Sequence, residues 1–435
     1  MSYRIATAEF SDAERIPLLI RDDGVPVASV NRYAVVHLRV RGLSPNTIMN
    51  HVRDLKVAQA FFDAFDVDIV QRAERFQFLS NHELLNLVEW LRRPNTAHSD
   101  IGVKSSDVIV AETAGNRIVS REEHATRIRH TRDFVVWLAH QALHRVNDST
   151  DYLAARDRVE GFKRAVKLLV PRSNSAADGE RLGLTAKQRE RLLNIVHPDS
   201  SENPFQQQHR HRNHAIVQLL FSLGLRRSEL LGLKIEDVDL QGRFSSDGSP
   251  SITIRHRPDD PADTRTRPAL QKTGSRILDL SARTPPYRAL EAWLTRHRID
   301  ERRYPGAKRC PYVFVSRMMD RNDRGRPVAR PLAQRTLNHM FRRIARVDPQ
   351  SLGKLHPHLL RHTWNDRFVE HVDENGEDWD EAAKLQKQQQ GWSPGSTMPS
   401  RYGRRATRKR AGRRVERMNA NLEAQAGRRD DEDAE

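Results

Sequence analysis

A single cysteine in 435 residues, Cys310, excludes an intrachain disulfide and any cysteine-based zinc cage. The thiol itself reads as a small, partly buried side chain. No apolar run comes near the ~20 residues that a bilayer-spanning helix needs. The first residues, Met1-Ser2-Tyr3-Arg4-Ile5-Ala6, lack the apolar core of a secretion signal. There are no internal repeats. Negative charge is also in short supply: 57 Asp and Glu stand against 74 Lys and Arg, a formal charge of +17. Charge of this size is silent on fold but favours a polyanionic partner, and nucleic acid suits it better than a membrane. A cytoplasmic or nucleoid-associated protein is expected.

What is present suffices for two or three domains with cores of their own: 37% of residues are hydrophobic, although 30% are charged. Residues 1–28 show no strong periodicity and read as a short extension. From 29 to 170 the pattern is helical. Ser44-Pro45 is a helix start, a capping residue before a proline at the first helical position. Ile48, Val52, Leu55 and Phe62 then mark one buried face, with His51, Arg53 and Lys56 expected in solvent. A second helix, from about Glu122 to Leu143, should bury Ile128, Phe134, Val135 and Leu138. Its other side carries Arg127, Arg129, His130 and Arg132, either simply solvated or poised for phosphate. Residues 171–182, small, polar and proline-bearing, read as a linker.

A second domain is expected over 183–418. Thr185 caps a helix carrying Leu192, Leu193 and Val196, and another helix ends at Gly224. The only β-rich block follows, with Ile252-Thr253-Ile254 alternating as a strand. Ala269-Leu270-Gln271 and Ile277-Leu278-Asp279-Leu280 flank a turn at Lys272-Thr273-Gly274-Ser275. Helices return over Arg288–His297 and Leu332–Val347. Past Tyr402 the chain is intensely basic, and 419–435 closes as an acidic tail without a fixed fold.

Four local patterns carry chemistry. In Gly224-Leu225-Arg226-Arg227-Ser228-Glu229-Leu230-Leu231-Gly232-Leu233, an arginine follows a helix-ending glycine. Glu229 stands three residues on, able to reach back and fix a guanidinium fork. Lys272 occupies the hairpin turn. In His356-Pro357-His358-Leu359-Leu360-Arg361-His362-Thr363, His358 and Arg361 share a helix face. His358 and His362 also have the four-residue spacing of a zinc pair, although no glutamate adjoins His358 as in a zinc hydrolase helix. Of seven tyrosines, only Tyr402 lies beyond Arg361.

Taken together, these patterns resemble the tyrosine recombinase (phage integrase) family, closely over 183–418 and by general helical character before it. The resemblance implies a mainly α fold with a small β-sheet: a helical core-binding, SAM-like domain, then a mixed α/β catalytic domain, closing on DNA as a clamp. It implies strand cleavage and rejoining through a 3′-phosphotyrosine, without metal, cofactor or ATP. By the family's register Arg226, rather than Arg227, is the first arginine of the phosphate clamp and Arg361 the second. Lys272 protonates the departing 5′ oxygen, His358 transfers a proton or binds phosphate, and Tyr402 is the nucleophile; His362 packs or hydrogen-bonds structurally. Trp392, after Gly391, stands where the family usually has histidine, keeping an N–H donor but losing proton transfer. Tyr402 follows Arg361 by 41 residues, longer than the family norm, with the excess expected in the acidic stretch Asp373–Glu381. The implied partners are double-stranded DNA, a homo-tetramer on two DNA sites, and accessory DNA-bending proteins, with no membrane. The basic helix near Arg408–Ala424 would pack on a neighbouring subunit. Rival readings are a type IB topoisomerase, a catalytically idle DNA-binding regulator of the same fold, and a zinc hydrolase.

Overall fold

In the computed structural model the Ser44 hydroxyl accepts the Thr47 N–H and Pro45 opens the helix, as the sequence pattern requires. The structure describes residues 2–94, 118–171, 183–243, 247–265, 267–271, 274–319, 327–403, 411–412, 414–416 and 418–420. Lys272, all but Pro171 of the expected linker, and the tail from 421 onward lie outside the described residues, as does much of the basic helix expected after Tyr402. The chain divides into two units, Met1–Gly179 and Glu180–Glu435.

The first unit opens with an antiparallel hairpin, β1 (Tyr3–Glu9) and β2 (Arg15–Arg21), with Tyr3 opposite Arg21. The expectation of a mere extension over 1–28 therefore fails. Tyr3 and Leu19 join the helical core, and the Tyr3 hydroxyl donates to the Asp63 carboxylate. Asn31 clasps both backbone groups of Leu19, at 2.7 and 3.0 Å, tying β2 to α1 (Ala28–Arg32). These ties are tertiary, which is why short-range periodicity misses them.

After a π-helical stretch over Tyr33–Arg39, the described residues continue with α2 (Pro45–Ala64), α3 (Ile69–Glu74), α4 (Asn81–Leu91), α5 (Arg121–Leu143) and α6 (Ser149–Leu169). Ile48, Val52, Leu55 and Phe62 of α2 are buried, as are Ile128, Phe134, Val135 and Leu138 of α5. Two basic side chains expected on the solvated side of α5 face inward instead. Buried Arg127 donates to the Leu91 and Arg93 carbonyls at 3.1 and 2.7 Å, occupying acceptors that the end of α4 leaves open. His130 meets Asp54 at 2.7 Å and stacks on His51, ring centroids 3.6 Å apart, so His51 is not a solvated residue either. Arg129 is exposed, as expected.

The second unit is built on α8 (Gln207–Leu223), following α7 (Ala186–Val196), whose Thr185 forms a capping box with Gln188. Ala215, Ile216, Val217, Leu219 and Leu220 of α8 are fully buried, so the later half of this helix is enclosed on all sides and serves as the core of its unit, whereas its first half is polar. Short α9 (Arg227–Gly232) follows, then a three-stranded antiparallel sheet of β3 (Val238–Asp239), β4 (Ser251–Ile254) and β5 (Arg276–Asp279), in that order. Ala269–Gln271 is not a strand; β5 pairs with β4, Ile254 facing Arg276. Consecutive Leu270 and Gln271 are both buried, which breaks the alternation a strand needs. The connection between β4 and β5 is pinned from within: buried Arg265 holds Asp263 and donates to the Leu231 carbonyl at 2.8 Å.

Beyond the sheet lie α10 (Pro285–Ala292), the hairpin β6 (Val315–Met319) and β7 (Pro327–Pro331), α11 (Gln334–Val347) and α12 (Pro349–Leu352). Next come α13 (Pro357–Asn375) and α14 (Trp379–Gln390), a further helical turn over 398–403, and helical residues among those described between 411 and 420. The acidic stretch Asp373–Glu381 is the corner between α13 and α14. Among the described residues no helix is long and apolar enough to cross a membrane.

Burial holds His51 and His214 neutral, each pulled down to about 4, with repulsion from His130 beside the first and from His197 and His211 beside the second adding to the effect. The unfolded chain protonates these rings below about 6.5, whereas the folded chain refuses the proton until about 4. Stability should therefore be intact above pH 6.5 and decline as pH falls towards 4. The thermal midpoint is expected to be lower at pH 5.0 than at pH 7.5, and replacing both histidines by Gln should shrink that difference. An unchanged difference would show that these rings do not set the acid limit.

Candidate active site

The site forms where α8 stops. Gly224, at φ +63°, ends the helix in the left-handed conformation, and a side chain there would collide with Gln390 and Trp364. Two residues later Arg226 precedes α9, held at both ends by one carboxylate. Glu229 accepts the Arg226 backbone N–H at 2.8 Å and its Nη1 at 2.7 Å. The (i, i+3) brace expected from the sequence is thus present.

Glu229 does more than brace Arg226. Its side chain is fully buried, and Arg276, first residue of β5, meets it with two parallel bonds of 3.0 and 2.9 Å. Arg361 from α13 lies 4.0 Å from the same carboxylate. Burial alone would raise this acid; the Arg276 hydrogen bonds and the charges of Arg276, Arg226 and Arg361 outweigh it and hold it at about 2. Among the described residues three guanidiniums converge on this one carboxylate, an arrangement that favours a further anion.

A second anchor comes from α14. The Gln390 carbonyl, at its last residue, accepts from Arg226 Nη1 at 3.1 Å and from Arg361 Nη2 at 2.7 Å. Arg361 also donates to the Gly224 carbonyl at 2.9 Å, and Arg276 to that of Gln389 at 3.0 Å. Burial, with Arg226 beside it, lowers Arg361 to about 9, which still leaves it charged at neutral pH. Beneath these carbonyls Asn365 links the backbone of Arg361 to the Gln386 amide, at 2.7 and 2.9 Å.

On α13 the His356 imidazole accepts the Leu359 N–H and Pro357 takes the first helical position, fixing where the motif begins. His358 is exposed while Arg361 and His362 turn inward, and the two histidine rings meet edge to face at 4.6 Å. Among the described residues no group of three or more His, Cys, Asp and Glu gathers as a metal cage.

Trp392 follows Gly391, a second left-handed glycine that ends α14. Its ring sits 5.6 Å from the Arg361 guanidinium and stacks on Tyr402 at 5.8 Å with the planes 15° apart. The Tyr402 hydroxyl lies 2.7 Å from His362 Nδ1. Next to it, Gly403 abuts the Trp379 ring, where a Cβ would come within 2.7 Å. Arg226, His358, Arg361, Trp392 and Tyr402 thus share one region, built from four separated stretches of chain. Arg227 points elsewhere, to Asn338 of α11. Sequence reasoning missed Arg276, four residues after Lys272, as a partner of Glu229. It also missed the Gln390 carbonyl and the proximity of His362 to Tyr402; a backbone carbonyl leaves no trace in sequence.

The family model described as Phage integrase family matches residues 183–404, which hold all of these groups. The tyrosine recombinase XerD of Mycobacterium leprae is 31% identical over 168 residues, 38% of this chain and 41% of that protein. The tyrosine recombinase XerC of Pseudomonas savastanoi pv. phaseolicola is 29% identical over 169 residues, 39% and 41% of the two chains. The chain therefore spans about four-tenths of the length of the curated relatives it matches. Among solved structures, the XerH site-specific recombinase bound to difH substrate in a pre-cleavage complex is similar at 16% identity and a TM-score of 0.36. That match covers 77% of this chain and 91% of the other.

Replacing Glu229 by Gln should strip the anchor from three buried or half-buried cations. The expected loss is about 3 kcal/mol of unfolding free energy in urea, the scale of breaking a buried ion pair from one side. A loss below ~1 kcal/mol would show that the carbonyl contacts alone hold the arginines.

Proposed function

Since the chain belongs to the phage integrase family, we propose that it is a site-specific DNA strand transferase working through a 3′-phosphotyrosyl intermediate. Arg226 and Arg361 grip the scissile phosphate, each presenting a planar fork to its oxygens. Their positions are set before DNA arrives, which suits them to the charge that builds at five-coordinate phosphorus. Tyr402 Oη attacks; its bond to phosphorus forms as the bond to the 5′ oxygen breaks, and Lys272 gives that oxygen its proton. His358, exposed at the mouth of the site, contacts the phosphate, and the Trp392 N–H adds a donor. The bond energy is kept in the tyrosyl ester, so a 5′-hydroxyl from another strand can reverse the step with neither metal nor ATP. The working assembly in this reading is a homo-tetramer on two double-stranded DNA sites in the cytoplasm, aided by accessory DNA-bending proteins.

The observation that supports the reading is the chain of contacts from Arg361 through the Trp392 ring to Tyr402, which brings a phenol close to the guanidinium cluster. Nicked duplexes drawn from the boundaries of the DNA element that encodes the chain provide the test. Wild type should yield a covalent protein–DNA adduct on a denaturing gel, Tyr402→Phe none despite normal DNA binding, and Arg361→Lys an adduct slowed about 10²–10³-fold. An adduct formed equally by Tyr402→Phe would move the nucleophile elsewhere. Tight binding with no adduct from any protein would favour the idle regulator.

A further inference from the structure

The Tyr402 hydroxyl and His362 Nδ1 are 2.7 Å apart, within the reach of direct proton transfer. A phenol with an unperturbed pKa near ~10 is a weak nucleophile at neutral pH, so its proton must have a destination. Arginine offers donors only, which rules out Arg226 and Arg361 as acceptors. Glu229 is enclosed by three guanidiniums and held at about 2, too weak a base to compete. Trp392, stacked on the Tyr402 ring, carries a donor and no acceptor. His362 has the remaining qualification: an imidazole nitrogen already in contact with the hydroxyl, on a ring only 9% exposed.

Resting on the phosphotyrosyl reading above, we infer that His362 is a catalytic residue, the proton acceptor for Tyr402. The neutral ring carries its proton on Nε2 and presents Nδ1 to the phenol. As Oη bonds to phosphorus, the phenolic proton passes to Nδ1 and the ring becomes imidazolium. The electron pair of the broken P–O bond leaves with the 5′ oxygen, which is protonated separately from the leaving-group side. In rejoining, the imidazolium returns its proton to the departing tyrosine. The charged or titratable groups around this step are His358, 4.6 Å away on the same helix, and the Arg361, Arg226, Arg276 and Glu229 cluster behind it. His358, being exposed, is left to the phosphate. The two histidines of the motif thereby divide the work that spacing alone would give to the first.

Single-turnover adduct formation on the same nicked duplexes, from pH 6.5 to 8.5, separates this role from a structural one. His362→Ala should bind DNA normally, be slowed about 10²–10⁴-fold at pH 7, and regain about tenfold per pH unit as the free phenolate fraction grows. A substrate with sulfur in place of the bridging 5′ oxygen leaves without protonation, so it should restore Lys272→Ala and fail to restore His362→Ala. His362→Asn, which keeps polarity and size, should be as slow as His362→Ala. A wild-type adduct that His362→Ala forms equally fast would overturn the assignment alone. So would a slow His362→Ala rate that ignores pH, or rescue of that variant by sulfur. No adduct from wild type would overturn the phosphotyrosyl reading and this role together.

Discussion

One buried carboxylate organises the second unit. Glu229 lies beyond the reach of water, where an isolated charge would be costly, and it stays ionised only because guanidiniums from three elements converge on it. The dependence runs both ways. Arg226 is oriented by Glu229 from within its own turn, Arg276 ties the sheet to α9, and Arg361 brings in α13. The Gln390 carbonyl then closes the ring from α14. Elements distant in sequence meet here because each supplies charge that the others need.

The excess of positive charge is what connects this arrangement to chemistry. A protein that only needed internal stability would match three cations with more than one anion, or replace the cluster with apolar packing. Bracing three arginines on one buried carboxylate costs stability, and in the proposed reaction it would serve to pre-orient them for a phosphate. The tyrosine is held differently. It rests on a ring stack with Trp392, a contact of about 0.5–1.5 kcal/mol, on the hydroxyl bond to His362, and on the seating of Gly403 against Trp379. Under the proposed reaction, the firmly braced arginines would receive the phosphate and the phenol, held by stacking and one hydroxyl contact, would join DNA and later release it.

Local chemistry was legible in the sequence wherever it was dictated over a few residues. Ser44-Pro45, the Thr185 cap, the stop at Gly224 and the Arg226–Glu229 brace are all interactions within one turn. Arg227, which the family resemblance passes over in favour of Arg226, turns to Asn338. What escaped was tertiary. The amphipathic pattern of α5 marks Arg127 and His130 as solvent-facing, yet Arg127 is drawn inward by open carbonyls at the end of α4 and His130 by Asp54. The β1–β2 hairpin was invisible because its anchors, Asn31 and Asp63, lie elsewhere in the chain. The pairing of β5 with β4 was hidden by the nearer but buried segment Ala269–Gln271. His362 was the subtlest case, since its partner stands forty residues away.

The most direct test of the account is to identify the bond itself. Wild-type protein trapped on a nicked duplex would be digested with trypsin and nuclease, and the nucleotide-bearing peptide sequenced by mass spectrometry. A single modified residue is expected, Tyr402, joined through its phenolic oxygen to a 3′-phosphate. A nucleotide on any other side chain, or a linkage to a 5′-phosphate, would contradict it.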